Sequence, residues 1–374
     1  MIKVLNIITD TNIGGAGNVL LNFLRKTNRT EFSHTVIVPT SAQLSPPLRA
    51  LDIQVFEMPG IADKSLSPGT IGAFSRVFDK LKPDLIHTHA SLSARIAARK
   101  WNKKCAVVHT RHCAYPQGRL KTSFPVKQAL GFINNSLSDI IIAVSPAARD
   151  NLTDTGTNPQ KIVTMFNGVE PVRRLSDDEK SAVRTMLGIE DGQFVCAVIA
   201  RLVPEKGHMD ILEAAGLLSD LPIRFVITGA GPFEGELRAV AETRGLSNCI
   251  FTGFIEDVAV IENIMDLQIN ASYGTETSSL SLLEGMSLEI PAVASDFGGN
   301  PYLITNGENG LIFPQRNGSA LACVVRELYG DREKLARMGE AAYQAYNERF
   351  TAKIMSDNIE QVYRDALIKL KMES

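Results

Sequence analysis

Short apolar runs alternate with helical stretches along the whole chain, and that alternation narrows its possible folds more than any other feature. In the first half, apolar runs at 3–8, 34–39, 54–57, 85–88, 105–109 and 140–144 read as strands, with helices between them, for example over 70–81 and 91–100. In the second half the strands fall at 194–200, 224–228, 249–252, 267–270, 291–294 and 310–313. Strands that alternate with helices pair in parallel through right-handed crossovers, which lay helices on both faces of a sheet. The expected architecture is α/β: two doubly wound, Rossmann-like units in tandem, facing a central cleft. Ligands of such sheets bind beyond the carboxyl ends of the strands.

The chain has 374 residues, and at ~150 residues per domain that length suits two domains. The expected domains are 1–170 and 178–350. The stretch 168–178 lacks periodicity, holds Pro171 and sits where the charge balance flips, so it reads as the linker. A last helix over 352–372 carries apolar residues at helical spacing. Hydrophobic residues make up 44% and charged residues 21%, which excludes collagen-like and strongly disordered chains. Apolar runs stop at about seven residues against the ~20 a membrane span needs. The five cysteines are scattered and never form C-x-x-C, which points to a reducing cytoplasm and away from disulfides or a zinc site. The net charge of -2 hides an asymmetry: residues 1–170 hold 20 Lys+Arg against 11 Asp+Glu, and residues 171–374 hold 19 against 30. Residues 85–138 contain nine Lys+Arg and no acid at all. They read either as a solvated face or as a basic surface for something anionic.

Three stretches carry chemistry. The first strand runs into Gly14-Gly15-Ala16-Gly17 and a helix. Glycines at Gly14 and Gly15 let backbone N–H groups approach a phosphate or sugar, although a plain tight turn is the other reading. The spacing is not G-x-G-x-x-G, so a nicotinamide dehydrogenase is disfavoured. After the first strand of the second half comes Arg201-Leu-Val-Pro-Glu-Lys206-Gly207-His208. Two cations at a strand end and a helix start suit a diphosphate, unless they are simply solvated. Third, Glu276 follows a strand and Glu284 lies inside the helix expected to begin near Ser278 or Ser279. Both carboxylates would then face one cleft, where they accept directed hydrogen bonds from sugar hydroxyls.

RLVPEKGH at 201–208, the E-x7-E arrangement of Glu276 and Glu284, NGVE at 167–170 and the Gly-Gly loop occur in one order. Together they resemble family 4 of the retaining, nucleotide-sugar-dependent glycosyltransferases, across essentially the whole chain. The resemblance implies the GT-B fold, with the last helix crossing back onto the first domain. It is strongest to bacterial enzymes of capsule, exopolysaccharide or O-antigen assembly. It implies that Arg201 and Lys206 hold the donor diphosphate, Glu284 binds the ribose hydroxyls and Glu276 holds the donor sugar. His112 would touch the transferred sugar, with His109 as the alternative. Gly229, Phe254 and Ile255 would line the nucleoside, and Ser278-Ser279-Leu280 would help hold the diphosphate or sugar. Many family members carry Gly-Phe-Gly after the first Glu, whereas Thr277-Ser278-Ser279 follows here, so the donor sugar is less constrained than the chemistry.

The resemblance implies transfer of a hexose or N-acetylhexosamine, UDP-linked by family frequency, without cofactor or metal. No D-x-D-like or His-rich metal constellation is evident, and no nucleic-acid partner is implied. The acid-free span adds the expectation of a lipid-linked glycan acceptor on an anionic membrane, contacted by Arg119, Lys121 and Lys127. The protein would then be cytoplasmic and peripheral on the inner face. Beside those cations lie Trp101, Tyr115, Phe124, Val126, Leu130, Phe132 and Ile133, which either dip into the interface or pack in the core. Sugar-nucleotide 2-epimerases of the same fold, and an inactive homologue acting as a subunit, are the rival readings.

Overall fold

The computed structural model describes residues 1–115 and 117–372. The chain divides into two compact units, one of residues 1–168 and 352–374 and one of 169–351. The first unit carries 24 Lys+Arg against 14 Asp+Glu and the second 15 against 27, balances of +10 and -12.

The first unit is built on β1 (Ile2–Ile8), β2 (Phe32–Pro39), β3 (Gln54–Met58), β4 (Leu85–His89), β5 (Ala106–Arg111), β6 (Ile140–Ala143) and β7 (Ile162–Thr164). They form one sheet in the order β3-β2-β1-β4-β5-β6-β7, and every neighbouring pair is parallel. The second unit uses β8 (Phe194–Ile199), β9 (Ile223–Thr228), β10 (Cys249–Gly253), β11 (Leu267–Asn270), β12 (Ala292–Ser295) and β13 (Gly310–Phe313). Their order is β10-β9-β8-β11-β12-β13, again all parallel. β7, a three-residue edge strand after a 3₁₀ turn, is the one strand the apolar pattern does not announce.

Strands buried on both faces explain the near-continuous apolar runs. In the second unit, Phe194, Cys196 and Val198 of β8 pack on one face with Leu212, Phe225, Leu321 and Val325. The alternate residues Val195 and Ala197 pack on the other with Val226, Ile261, Ile264 and Met265. In the first unit, Leu5, Ile7, Ile86 and Val107 pack beneath Phe74 and Phe78. The helix Ala352–Met372 completes this unit, burying Met355, Ile359, Val362, Tyr363 and Ala366. Tyr363 makes edge contacts with Phe23, Phe32 and His87, and its hydroxyl lies 2.7 Å from His87 Nδ1.

In both sheets the strand order reverses beside the first strand of the unit, between β1 and β4 and between β8 and β11. Chains leaving neighbouring strands in opposite directions open a crevice there, which is where doubly wound sheets bind ligands.

Candidate active site

At the β8/β11 reversal the structure brings together two of the residues singled out from sequence. Lys206 closes a 3₁₀ turn, Pro204–Lys206, after β8, and Gly207 follows at φ +72°, in the left-handed region. A Cβ at Gly207 would lie 2.0 Å from the Ala271 carbonyl oxygen, so only glycine lets the β8 loop cross the end of β11. That crossing carries Lys206 Nζ to 2.9 Å from Glu276 Oε2. The same carboxylate oxygen accepts from Asn270 Nδ2 at 3.1 Å and Ser272 Oγ at 3.0 Å. Glu276 is 8% exposed. Burial alone would raise its pKa, but the Lys206 charge and the hydrogen bonds from Lys206, Asn270 and Ser272 outweigh it and hold it below the usual carboxylate range. Asn270 and Ser272 are not among the residues the sequence pattern singles out, although N-A-S directly before the loop is the signal for them.

Glycines press the loop into place from the other side. Gly298, at φ +62°, would put a Cβ 2.3 Å from the Glu276 carbonyl, and Gly299 one 1.4 Å from that of Thr277. Gly299 N–H donates to the Glu276 carbonyl at 3.2 Å. Ser278 is buried, Ser279 caps the helix Leu280–Ser287, and Leu280 opens it. Because this helix starts at Leu280, Glu284 lies one turn in rather than two. Its carboxyl pairs with Glu262, not with the Glu276 cluster, so the two glutamates have different partners. Arg201 is exposed and makes no side-chain hydrogen bond or ion pair among the described residues. Gly229, at φ +139°, would put a Cβ 2.0 Å from the Ala200 carbonyl, which fixes the β9 loop against the end of β8. Phe254 stands out in solvent after β10, whereas Ile255 packs against the Val195–Val226 core layer.

In the first unit, Gly14 caps the helix Gly15–Lys26 directly after β1. A Cβ added at either Gly14 or Gly15 would meet no atom within 4 Å, so this loop is open rather than crowded. His112 follows β5 and stacks on His89, with Nε2 2.8 Å from His89 Nδ1. Burial pushes the His112 pKa down to about 4 and that of His89 well below its usual value. Both rings are therefore neutral at pH 7 and share one N–H···N bond. His109, the alternative, is buried in β5 with Nδ1 3.1 Å from the Thr88 carbonyl. His89, His112, Asn167 and Met355 line a cavity of about 10 Å³, room for one water and too small for a sugar. Among the described residues, no group of three or more His, Cys, Asp or Glu is placed to hold a metal ion.

The basic span resolves into two parts. Arg95 is buried, bonding Asn134 Oδ1 at 3.2 Å, and Arg99 pairs with Asp139 at 2.6 Å. These two are structural and not part of a charged face. Trp101 packs on Phe78 and donates to Asp79, so it is not available to an interface either. Of the others, Arg119 and Lys121 are exposed and Lys127 is half-buried. The helix Val126–Leu137 buries only Gly131, whose missing side chain lets it rest on the Gly156 backbone. Phe124 is 79% and Phe132 74% exposed, with Leu120 and Tyr115 also outside. Core packing of this stretch is thereby overturned. No described helix is long and apolar enough to cross a membrane.

Solved structures define the fold. HepE of Anabaena, in complex with UDP and glucose, superposes with a TM-score of 0.84 over 98% of this chain and 100% of that one, at 20% identity, so the fold is GT-B. The family model "Glycosyltransferase Family 4" matches residues 13–173 and "Glycosyl transferases group 1" matches 179–345, so the chain is a glycosyltransferase built of these two domains. It is 28% identical over 314 residues, 79% of this chain and 81% of the other, to glycosyltransferase EpsD of Bacillus subtilis (strain 168). It is also 31% identical over 166 residues, 43% of this chain and 44% of the other, to the O-antigen chain mannosyltransferase C of Escherichia coli.

Proposed function

We propose that this glycosyltransferase moves a hexose or N-acetylhexosamine, with retention at the anomeric carbon, from a UDP-sugar to a growing lipid-linked glycan of the bacterial surface. The observation that carries the reading is the Lys206–Glu276 pair at the β8/β11 reversal, with Arg201 exposed beside it in sequence. Cation and carboxylate together suit a ligand bearing both phosphates and hydroxyls. An ammonium has three N–H donors. One bonds Glu276, which leaves two for phosphate oxygens. As the sugar–phosphate bond breaks, negative charge grows on the leaving nucleoside diphosphate, where Lys206, held by Glu276, stabilises it from a preorganised position and Arg201 adds a second positive charge. Glu276 accepts from hydroxyls of the donor sugar, and His112 touches the transferred ring. The acceptor oxygen attacks the face the phosphate is leaving, and the departing phosphate oxygen takes its proton, which preserves the configuration without a separate base. The UDP bound by HepE and the O-antigen relative support the donor and acceptor classes.

The acceptor end of the proposal rests on the exposed Leu120, Phe124 and Phe132 beside Arg119, Lys121 and Lys127. Apolar side chains beside cations are what a peripheral protein presents to anionic lipid, with each cation contributing ~1 kcal/mol. The chain would then work on the cytoplasmic face, its lipid-linked acceptor held in the same surface.

A panel of nucleotide sugars read by thermal stabilisation tests the donor, since a ligand at about 100 times its Kd adds ~2.7 kcal/mol. UDP-sugars should stabilise, and the product glycoside should keep the donor's anomeric configuration. Stabilisation by no nucleotide sugar, or an inverted product, overturns the corresponding part.

A further inference from the structure

Glu262 is a carboxyl that the donor reading does not use. It ends the short helix Ala259–Glu262 inside an otherwise uncharged run, VAVIENIM, and is 1% exposed. Its neighbours Ile261, Ile264 and Met265 belong to the core layer under β8. A buried carboxylate is ordinarily paired with a cation. None of the described ion pairs includes Glu262; its carboxyl is hydrogen-bonded to that of Glu284. Its Oε1 is buried with no partner among the described residues.

Two carboxylates cannot hydrogen-bond, so one proton lies between this pair. Burial, then repulsion from Glu284 and from Asp257, pushes Glu262 well above the usual carboxylate range. Burial also raises Glu284, but the hydrogen bond from Glu262 pulls it back. Glu262 is enclosed in an apolar layer while Glu284 is only half-buried, and the charged form is disfavoured most where burial is deepest; the proton therefore sits on Glu262, which donates, and Glu284 accepts as the anion.

We propose that Glu262 is a positioning residue, a neutral carboxyl that donates to one oxygen of Glu284 and so keeps the other oxygen turned to the donor's ribose hydroxyls. This rests on the reading of Glu284 as the ribose-binding carboxylate. The choice of partner has a physical logic. Lysine or arginine in the same place would orient Glu284 but neutralise it, weakening it as an acceptor. A neutral donor orients the carboxylate and leaves its charge in place.

Two variants separate orientation from bulk. Glu262→Gln keeps a donor that no pH removes, and Glu262→Met fills a similar volume with none. UDP binding is measured by calorimetry beside 2′,3′-dideoxy-UDP, which lacks the hydroxyls in question. Glu262→Met should lose about tenfold in UDP affinity and change little toward the dideoxy ligand, while Glu262→Gln should bind UDP near the wild-type level. On raising the pH from about 7 to about 10, the wild type should lose affinity relative to Glu262→Gln; base ionisation cancels in that ratio. The proposal is overturned if Glu262→Met binds UDP as the wild type does, or weakens both ligands equally, as a merely structural residue would. If Glu262→Met fails to fold, a wild-type to Glu262→Gln ratio flat with pH overturns it instead. Glu284→Ala distinguishes the underlying reading: unchanged UDP affinity there means that Glu284 does not hold the ribose.

Discussion

Removing the Lys206 ammonium should damage the fold as well as turnover, and the two effects can be separated. The sequence alone predicts a Lys206→Ala variant that loses activity while folding normally. The 2.9 Å pair with Glu276, at side-chain exposures of 17% and 8%, changes that expectation. At this distance and an effective dielectric of about 20, the Coulomb energy is roughly 6 kcal/mol before desolvation. Breaking a buried pair by removing one partner costs about 3–5 kcal/mol, because a charge is left behind. Asn270 and Ser272 still donate to Glu276, which puts the cost at the lower end, about 3 kcal/mol. Glu276→Gln in the Lys206→Ala background removes the stranded charge and should recover about 2 kcal/mol of stability, but no activity. The cost must also depend on pH. Glu276 is held below its unfolded pKa in the wild type, so its contribution is present above about pH 4.5 and is lost as the pH falls through the lower folded value. The gap between wild type and Lys206→Ala should therefore shrink between about pH 8 and about pH 5, as the stranded carboxylate of the variant takes up a proton. Hydrogen exchange of peptides from 169–351 is the right assay, since a two-unit chain has no single unfolding free energy. A gap independent of pH, or a double variant no more stable than Lys206→Ala, would refute the reasoning.

Acid should open the first unit before the second. His34 and His112 are pushed down to about 4, His87 to about 3, and His89 and His109 well below normal, all chiefly by burial; the second unit holds His208 alone. Depressed histidines contribute stability above their unfolded pKa of about 6.5 that is lost as the pH falls toward their folded values, at up to ~1.4 kcal/mol per pH unit each. Trp101, the single tryptophan, lies in the first unit, so its fluorescence should change below about pH 6 before exchange rises in 169–351; the reverse order contradicts this. Gly299→Ala should cost at least about tenfold in UDP affinity and raise exchange across 270–280, because its Cβ would meet the Thr277 carbonyl; unchanged affinity removes the role given to that turn. Turnover should continue in excess EDTA, and complete loss restored by Mg²⁺ would assign the diphosphate to a metal rather than to Arg201 and Lys206. Liposome sedimentation should require anionic lipid, fade by about 0.5 M salt and weaken in a Phe124→Ser, Phe132→Ser variant; equal binding to neutral vesicles, or none to either, leaves a soluble acceptor as the better reading.

The strand pattern is legible because each buried strand is an apolar run stopped by glycine, proline or charge. β7 escapes because it is three residues long, and its two apolar residues, Ile162 and Val163, are too few to make a run. Lys206 and Glu276 can be named from sequence because strand ends and helix starts expose their chemistry, but their mutual hydrogen bond cannot, since it joins residues 70 positions apart. Arg95 and Arg99 show the limit of counting charges. The span 85–138 holds no acid, yet Arg99 finds Asp139 one residue beyond it, and Arg95 turns its Nη1 to the neutral oxygens of Asn134 and Ser138. Glu262 leaves one trace, a lone acid inside an otherwise uncharged and largely apolar run. Its partner lies on another helix, and only the fold brings them together.

The helix Ala352–Met372 sets an order of events during synthesis. The second unit is contiguous, so its sheet can form as soon as residue 351 has left the ribosome. The first unit is not: His87 receives its Tyr363 partner from 276 positions later, and Asn28 N–H waits for Glu360. The half of the protein made first is thus finished last, with its buried histidines and apolar floor uncovered while the other half is translated. Removing the helix Ala352–Met372 would leave the second unit intact and strand the first as an open sheet, so residues made after the second unit decide whether those made before it hold.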